Sequence, residues 1–448
     1  GTVATATQNS ITTMTGLTAV GAANTLTTVA GIPFYQGDTG SIYTHNVSGT
    51  DDTAQYNTAY GISAMDAITT GDDNTALGYD ALGVLSTGGK NTAVGANSMQ
   101  LHTTGSNNTA VGESSMDSNT TGASNVAIGQ EAMNANTTGA ENTVVGRNAL
   151  AANTTTDSNT AVGANALAAN TAAENTAIGF NAAAANTSGV RIIAIGKGAY
   201  DGSDTENDNI AIGFEAMTTD TAGGVENVAI GNYALDALTS GDGNIAIGIN
   251  AGGTITTAVS NIAIGRKAMK LTTTGGYNVG IGQDALEANT TGDSNVAIGM
   301  NVMALNTTGV ANTAIGRNAL DANTTASHGT AIGYNALTAN TTGEWNVAIG
   351  RQAMETSTTI AETVAVGSKA LRLNTGAGNT AIGHATLENN STGTGNVAVG
   401  SGALNDNTTG VSNIAIGKDA LDINTTGSNN VALGINALGR NIDTDGNT

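Results

Sequence analysis

The pentapeptide Asn-Thr-Ala-Val-Gly at residues 91–95 decides the fold of this chain. It returns at 108–112, and it returns as Asn-Val-Ala-Ile-Gly at 125–129. Its final glycine occurs 23 times between Gly61 and Gly434; of the 22 spacings, 19 are 17 residues, two are 16 and one is 18. Because the repeat length varies by only one residue in either direction, no globular domain can be inserted between copies. The fold of this region is therefore built from the repeats alone.

The consensus of one copy is N-[TVI]-A-[IV]-G-x-N-A-[LM]-x-x-N-T-T-G-x-x, and positions 1 to 17 denote its residues in this order. Position 2 is Thr, Val or Ile in every copy, and position 4 is Ile, Val or Leu in 22 copies. β-Branched residues that alternate with a small residue predict a short strand. Positions 8 and 9 predict a second strand or extended segment, and Asn-Thr-Thr-Gly is typical of a turn.

We therefore predict an all-β fold, a parallel β-solenoid (β-roll) of about 23 coils with a 17-residue period. Asn at position 1 would stack into an amide ladder, and the invariant glycine would lie at a sharp corner or a close backbone approach. Such a coil is too thin to bury all of its apolar positions. An aliphatic stripe from position 2, 4 or 9 is thus expected between the chains of an intertwined or side-by-side homotrimer.

The repeat rod covers residues 57–440, and two segments lie outside it. Residues 1–56 do not follow the repeat and hold the only proline, Pro33. Because the ends of a solenoid need closing, we predict an N-terminal cap or attachment segment there, with a few degenerate coils as the alternative. Residues 441–448 are predicted to form a C-terminal tail.

Composition argues against several classes of function. The 448 residues carry 35 acidic and 13 basic side chains, for a formal net charge of −22. That charge argues against binding to nucleic acid or to anionic membranes. No apolar run approaches the roughly 20 residues of a membrane span, and no cysteine is present. We expect no nucleic-acid partner and no membrane insertion.

No constellation of catalytic or metal-binding residues stands out, so we predict no enzyme activity, no metal and no cofactor. The histidines are far apart in sequence and are expected on the exposed surface; they are His45, His102, His328 and His384. The loop carboxylates are expected to be solvated, with weak cation binding as the alternative. They are Asp72, Asp73, Asp242, Asp443 and Asp445.

Position 6, directly after the invariant glycine, is highly variable and is expected to face outward. It holds six of the 13 basic residues, together with aromatic ones. Consecutive coils place a cation beside aromatic rings in two runs, which suits cation–π contact. These runs and one loop tryptophan are candidate contacts for a carbohydrate or another receptor, with ladder stabilisation as the alternative. The residues are Phe180, Lys197, Phe214, Arg317, Tyr334, Arg351 and Trp345.

The N-[TV]-A-[IV]-G-x-x-A motif resembles the head repeats of trimeric autotransporter adhesins, which are left-handed parallel β-rolls that associate as trimers. The longer form with N-A-L-x-x-N-T-T-G is similar to repeats of bacteriophage tail-fibre and appendage proteins. The resemblance covers residues 57 to about 440. The 17-residue coil is longer than the usual adhesin-head repeat, and no heptad stalk follows the last copy.

The resemblance implies a structural and interaction protein. Its first implication is a trimeric fibre, a phage tail fibre or virion appendage that carries attachment to a host surface. The partners would be two further copies, a host-surface glycan or protein, and virion or anchor proteins bound through the N-terminal segment. The location would be extracellular, on the virion surface. The head of a bacterial adhesin on a cell surface is the alternative, and an ice-binding solenoid with Thr ladders at positions 13 and 14 is a minor one.

Overall fold

A computed structural model of the chain describes residues 28–29, 32–33, 35–36, 42–43, 53–202, 205–219, 223–440 and 443–448. These residues form strands and turns, and no helix occurs among them. The chain divides into two compact units, Gly1–Asp157 and Ser158–Thr448. In each unit one short strand recurs with every repeat and pairs in parallel with the next. The predicted parallel β-solenoid with a 17-residue period is confirmed.

The described part of the first unit contains two kinds of strand. Four short strands precede the repeats: β1 Thr28–Val29, β2 Ile32–Pro33, β3 Tyr35–Gln36 and β4 Ile42–Tyr43. Six strands belong to repeats: β5 Thr58–Tyr60, β6 Thr75–Leu77, β7 Thr92–Val94, β8 Thr109–Val111, β9 Val126–Ile128 and β10 Thr143–Val145. β1 pairs with β2 and β3 with β4 antiparallel, whereas β4 pairs with β5 in parallel. The rest of the predicted cap lies outside the described residues.

The second unit contains seventeen described strands, all of three residues and all in repeats. They are β11 Thr160–Val162, β12 Thr176–Ile178, β13 Ile193–Ile195, β14 Ile210–Ile212, β15 Val228–Ile230, β16 Ile245–Ile247, β17 Ile262–Ile264, β18 Val279–Ile281, β19 Val296–Ile298, β20 Thr313–Ile315, β21 Thr330–Ile332, β22 Val347–Ile349, β23 Val364–Val366, β24 Thr380–Ile382, β25 Val397–Val399, β26 Ile414–Ile416 and β27 Val431–Leu433. Each pairs with the next in sequence order.

Each repeat strand covers positions 2 to 4, and like positions lie opposite each other in neighbouring coils. In β19 and β20, Ala297 lies opposite Ala314 and Ile298 opposite Ile315. The residue at position 3 is buried, whereas those at positions 2 and 4 point to the outer face. The Leu or Met at position 9, such as Met303, is fully buried inside its own coil. Of the three positions considered for an aliphatic stripe, only 2 and 4 therefore remain.

The segment at positions 8 and 9 is a turn, so the prediction of a second strand or extended segment is wrong. Its flanks adopt the left-handed conformation: φ is +56° at Asn97 (position 7) and +51° at Met99 (position 9). This conformation turns the chain sharply and carries the side chains of positions 8 and 9 into the interior. A left-handed Leu or Met costs energy, and burial of its side chain offsets that cost.

The invariant glycine at position 5 makes a close backbone approach, as predicted. Across the repeats its φ lies between 120° and 146°, a region that residues with a side chain rarely adopt. A Cβ placed on Gly282 would lie 2.2 Å from the carbonyl oxygen of Gly299 in the next coil. Both the torsion and the contact therefore require glycine.

The predicted amide ladder at position 1 is present, and its members are buried. The side-chain oxygen of Asn278 accepts the backbone N–H of Asn295 at 2.9 Å, and Asn295 does the same for Asn312 at 3.0 Å. The Asn295 Nδ2 also donates to the carbonyl oxygen of Gly309 at 2.8 Å. Each amide thus satisfies backbone groups that the thin interior would otherwise leave without partners.

A second amide ladder, which the sequence analysis assigned to a turn, runs along position 12. The Nδ2 of Asn306 donates to Oδ1 of Asn289 at 2.8 Å and to the carbonyl oxygen of Gly309 at 3.1 Å. Gly309 therefore accepts from both ladders. The interior of a coil is built from small or aliphatic side chains at positions 3, 8 and 9 and from these two rows of asparagine.

Candidate functional site

Position 6 lies on the outer face, as the sequence analysis predicted. The side chains of Tyr79, Phe180 and Tyr334 are 57%, 48% and 44% exposed. The strand covers positions 2 to 4, and position 6 lies in the turn that follows the glycine. The row at position 6 carries all of the residues proposed as contacts except Trp345.

The first proposed run, Phe180, Lys197 and Phe214, forms a real cation–π pair. The Lys197 Nζ lies 5.3 Å from the centroid of the Phe214 ring. The same ring packs edge-on against Tyr233, with centroids 5.5 Å apart and an interplanar angle of 80°. Phe180 remains exposed beside this pair, so one aromatic face of the run is open to a ligand.

The second run, Arg317, Tyr334 and Arg351, consists of exposed side chains at position 6 of three consecutive coils. Among the residues that the structure describes, the cation–π contact of Lys197 is the only one found. The arginines of the second run therefore make no such contact with Tyr334. These residues stay candidate surface contacts without a defined site.

Trp345 stacks on a neighbour at a different corner of the coil. Its ring lies 4.1 Å from that of His328, centroid to centroid, with an interplanar angle of 16°. Both residues occupy position 17, where φ is +60°, and Trp345 is 57% exposed. His328 thus supports one face of the tryptophan ring.

A surface cleft of about 490 Å³ opens beside the first run. It is lined by Phe180, Asn181, Lys197, Gly198, Asp201, Gly202, Glu215 and Thr218. Three consecutive coils contribute these residues through their positions 6, 7, 10 and 11. Aromatic, amide, carboxylate and ammonium groups therefore meet around one hollow in the surface.

The middle coil of the cleft, residues 192–208, departs from the consensus in its interior as well. Ile192 replaces the position 1 asparagine, and Tyr200 replaces Leu or Met at position 9. The Tyr200 hydroxyl is buried, donates to the carbonyl oxygen of Glu206 at 3.3 Å and accepts from Asn209 Nδ2 at 2.9 Å. These contacts replace part of the amide ladder, so the coil keeps its position in the stack.

The charges of the cleft are unequal. Asp201 and Glu215 are acidic and Lys197 is basic. Burial raises the pKa of Asp201 above its ordinary value, and a hydrogen bond with Asn181 opposes that rise. A half-desolvated carboxylate of this kind gains from a ligand that donates hydrogen bonds to it.

The cleft was not predicted, although two of the residues that line it were predicted as surface contacts. Phe180 and Lys197 were candidates from the pattern at position 6, whereas Asp201 and Glu215 were not. The available signal was the combination of Gly198 at position 7 with Gly202 at position 11, which no other repeat has. In a glycine-rich chain they resembled ordinary turn residues.

The expectation that the histidines are exposed is wrong for His102, which is fully buried at position 12. Its Nε2 donates to the carbonyl oxygen of Gly105 at 2.8 Å, and its Nδ1 accepts from Asn119 Nδ2 at 3.0 Å. The neutral imidazole thus performs both functions of a ladder asparagine. His328 and His384 are exposed, and His45 lies outside the described residues.

Three of the five loop carboxylates, at position 16, bind the backbone of the preceding coil. Asp72 Oδ1 accepts the N–H of Gln55 at 2.8 Å, and Asp242 Oδ1 accepts that of Val225 at 3.0 Å. Asp445 does the same for a serine N–H at 2.6 Å. These contacts make them structural acceptors rather than free solvated acids.

The other two loop acids lie at different positions. Asp443 accepts hydrogen bonds from the hydroxyls of Thr425 and Thr426, at 2.5 and 2.8 Å. Asp73 is exposed. No group of three or more His, Cys, Asp or Glu side chains able to hold a metal ion occurs within the described ranges.

The threonines at position 13 use their hydroxyls within the coil stack. Thr307 Oγ1 donates to the carbonyl oxygen of Thr324 at 2.9 Å, and Thr290 and Thr324 repeat the contact with their own successors. The neighbouring Thr308 at position 14 is exposed. Only the threonine hydroxyls of position 14 are therefore available to contact an ice surface. This weakens the case for ice binding.

Comparison with known proteins finds no matching family model and no matching curated protein. Over the described residues there is also no helix of the length and hydropathy that a membrane crossing needs.

Proposed function

We propose that the chain is the subunit of a trimeric fibre, a phage tail fibre or virion appendage used in attachment to a host surface. The observation that carries the proposal is the outer face formed by positions 2 and 4. In all 23 repeats these positions hold only Thr, Val, Ile, Leu or Tyr. Within each unit they form a face without charged side chains.

This face is partly exposed in the single chain. In the second unit Ile193, Ile298 and Ile414 are 36%, 36% and 40% exposed. Contiguous apolar surface of this kind marks an interaction site in soluble proteins. Alanine, asparagine and the Leu or Met of position 9 fill the interior, so the aliphatic groups at positions 2 and 4 become fully buried only when a partner covers them.

A second copy of the chain is the partner that fits this face. Every copy carries the same rows at the same period, so parallel copies can bring like positions together over the length of a unit. Three chains at −22 each give a formal charge of −66, and association must overcome that repulsion. A charge-free face is where copies approach at the lowest electrostatic cost, and the resemblance to trimeric fibres and adhesins favours three.

The rest of the proposal concerns location and partners. We infer an extracellular position on a virion, with the segment 1–56 attaching to other virion proteins and the outer surface meeting a host glycan or protein. In this function the chain binds and carries load, and it catalyses no reaction. The stacked amide ladders suit such a load because they connect runs of consecutive coils within each unit.

The proposal is tested by placing charge on the face. Ile281→Asp, Ile298→Asp and Ile315→Asp together should convert the native particle into monomers, because each of three consecutive coils would bury one carboxylate from every chain at the interface. Light scattering should give about three times 43.9 kDa for the parent and about 43.9 kDa for the variant. A matched triple variant at the exposed position 14, Thr291→Asp, Thr308→Asp and Thr325→Asp, should remain trimeric. A monomer mass for the folded parent would contradict the proposal.

The virion location requires a second measurement. Gold-labelled antibody raised against the purified chain should decorate appendages of the phage particle in electron micrographs. Label confined to the surface of uninfected bacteria would instead support the adhesin-head alternative.

A further inference from the structure

The cleft beside Phe180 exists because one repeat lacks two side chains. In the 23 copies, glycine occupies both position 7 and position 11 only in the repeat that contains Gly198 and Gly202. In several other coils position 7 carries a side chain that reaches position 10 of the following coil. Lys267 thus contacts Glu287 at 3.2 Å in the same unit. Removing such a side chain from the middle of three coils leaves the hollow.

The neighbouring coils supply chemically distinct walls to this hollow. Phe180 provides an exposed aromatic surface, and Asn181 provides an amide. Asp201 and Glu215 contribute carboxylates, and Lys197 contributes an ammonium group that leans over the Phe214 ring. A mostly preformed hollow with one apolar wall and a few convergent polar groups is the usual form of a small-ligand site.

We propose that this cleft binds a neutral pyranose sugar of a surface glycan, a proposal that rests on the attachment function proposed above. A pyranose has an apolar face of C–H groups and a rim of hydroxyls. Phe180 stacks against the C–H face. The carboxylates of Asp201 and Glu215 accept hydrogen bonds from hydroxyls at the rim.

The charge of the cleft selects a neutral sugar over an acidic one. Two carboxylates face a single ammonium group, and the chain as a whole carries −22. Lys197 Nζ lies 5.3 Å from the Phe214 ring centroid, and it is the one basic group among the residues that line the cleft. An acidic sugar would therefore be repelled at short range, whereas uncharged hydroxyls are accepted.

One substitution closes the cleft without straining the coil. Asn is the commonest residue at position 7, and the φ of +64° at Gly198 matches the φ of +55° at Asn181 in the preceding coil. A Cβ on Gly198 would lie 3.5 Å from Glu215 Cγ, an ordinary contact. Gly198→Asn should thus keep the melting temperature at or above that of the parent while its side chain fills the hollow.

The experiment uses the full chain and saturation-transfer NMR with methyl α-D-glucopyranoside, methyl α-D-mannopyranoside and methyl β-D-galactopyranoside as probes. The parent should transfer saturation to ring protons of at least one of them. Affinity should fall about tenfold or more in Gly198→Asn and in Phe180→Ala. Tyr334→Ala removes an equally exposed aromatic residue at position 6 and should leave binding unchanged. The methyl glucuronide should bind more weakly than the neutral sugars.

Two results would overturn the cleft proposal. One is the absence of transfer to all three neutral probes, and the other is undiminished transfer in a folded Gly198→Asn variant. Preference for the glucuronide would refute the neutral class. The particle mass is measured separately, so a trimer that binds no sugar refutes the cleft alone, whereas a monomer refutes the fibre.

Discussion

At the scale of single residues, the fold depends most on the glycine at position 5. Gly282→Val would force a β-branched residue to a φ of +134° and bring its Cβ within 2.2 Å of a carbonyl oxygen. We expect a loss of about 4 kcal/mol or more, the upper range for one substitution. The neighbouring Gln283→Ala should change stability by less than about 0.5 kcal/mol because Gln283 is exposed. Thermal melts of both variants measure this, and equal losses would contradict the assigned orientation.

His102 gives the first unit a pH dependence that its sequence position did not reveal. Burial lowers the pKa of His102 below 6.5, and hydrogen bonds with Gly105 and Asn119 only partly oppose this. The folded state thus favours neutral imidazole, whereas the unfolded chain binds a proton near pH 6.5. The stability that this preference contributes is complete above pH 6.5 and is lost as the pH falls below it.

The prediction is that His102→Asn flattens the acid side of the stability curve. For each pH unit below 6.5 the parent loses up to about 1.4 kcal/mol per chain through this group, until the pKa of the folded state is reached. The variant keeps both ladder hydrogen bonds and loses none of this energy. Melting temperatures between pH 7 and pH 5 compare the two proteins. Parallel curves would show that His102 is not the titrating group.

At the scale of elements, the two asparagine ladders stabilise the stack of coils, as a thick hydrophobic core stabilises a larger fold. Asn295→Leu keeps the branching at Cγ but removes the acceptor for the Asn312 N–H and one of the two side-chain donors to the Gly309 oxygen. Each buried group left without a partner costs about 1–3 kcal/mol, so we expect a loss of about 3 kcal/mol in total. The same change at exposed Asn232 should cost less than about 1 kcal/mol. Chemical denaturation of both variants tests the difference.

The features of a coil that were predicted correctly are those that depend on a single type of residue. The strand followed from β-branched residues around Ala93, and the corner followed from Gly95, because both patterns have a single physical cause. The turn at Met99 was missed because hydrophobic spacing does not report a left-handed φ. The position 12 ladder was missed because asparagine beside threonine and glycine also signals a solvated turn.

The candidate site was only partly predictable for a related reason. Phe180 and Lys197 were found because an exposed position tolerates many residue types, and that variability is visible in one sequence. The cleft depends on missing side chains at Gly198 and Gly202, which composition does not distinguish from turn glycines. The burial of His102 required knowledge that position 12 points inward.

At the scale of the whole molecule, charge and apolar surface act against each other. The net charge of −22 keeps chains apart in solution, and positions 2 and 4 provide a face on which they can meet. At 0.1 M ionic strength, salt screens the repulsion between exposed charges that lie more than about 10 Å apart. Salt does not screen the stabilisation gained by burying an apolar face. Association should therefore strengthen with added salt.

In the proposed trimer, the face of positions 2 and 4 lies between chains in register. The chain has no cysteine, so a single Cys at position 4, Ile298→Cys, reports on that face alone. Like positions of parallel chains would lie close together, and mild oxidation should join two chains through a disulfide. A Cys at exposed position 14 of the same coil, Thr308→Cys, should leave the chains unlinked. Efficient linking at Thr308→Cys, or none at Ile298→Cys in a folded particle, would contradict the account.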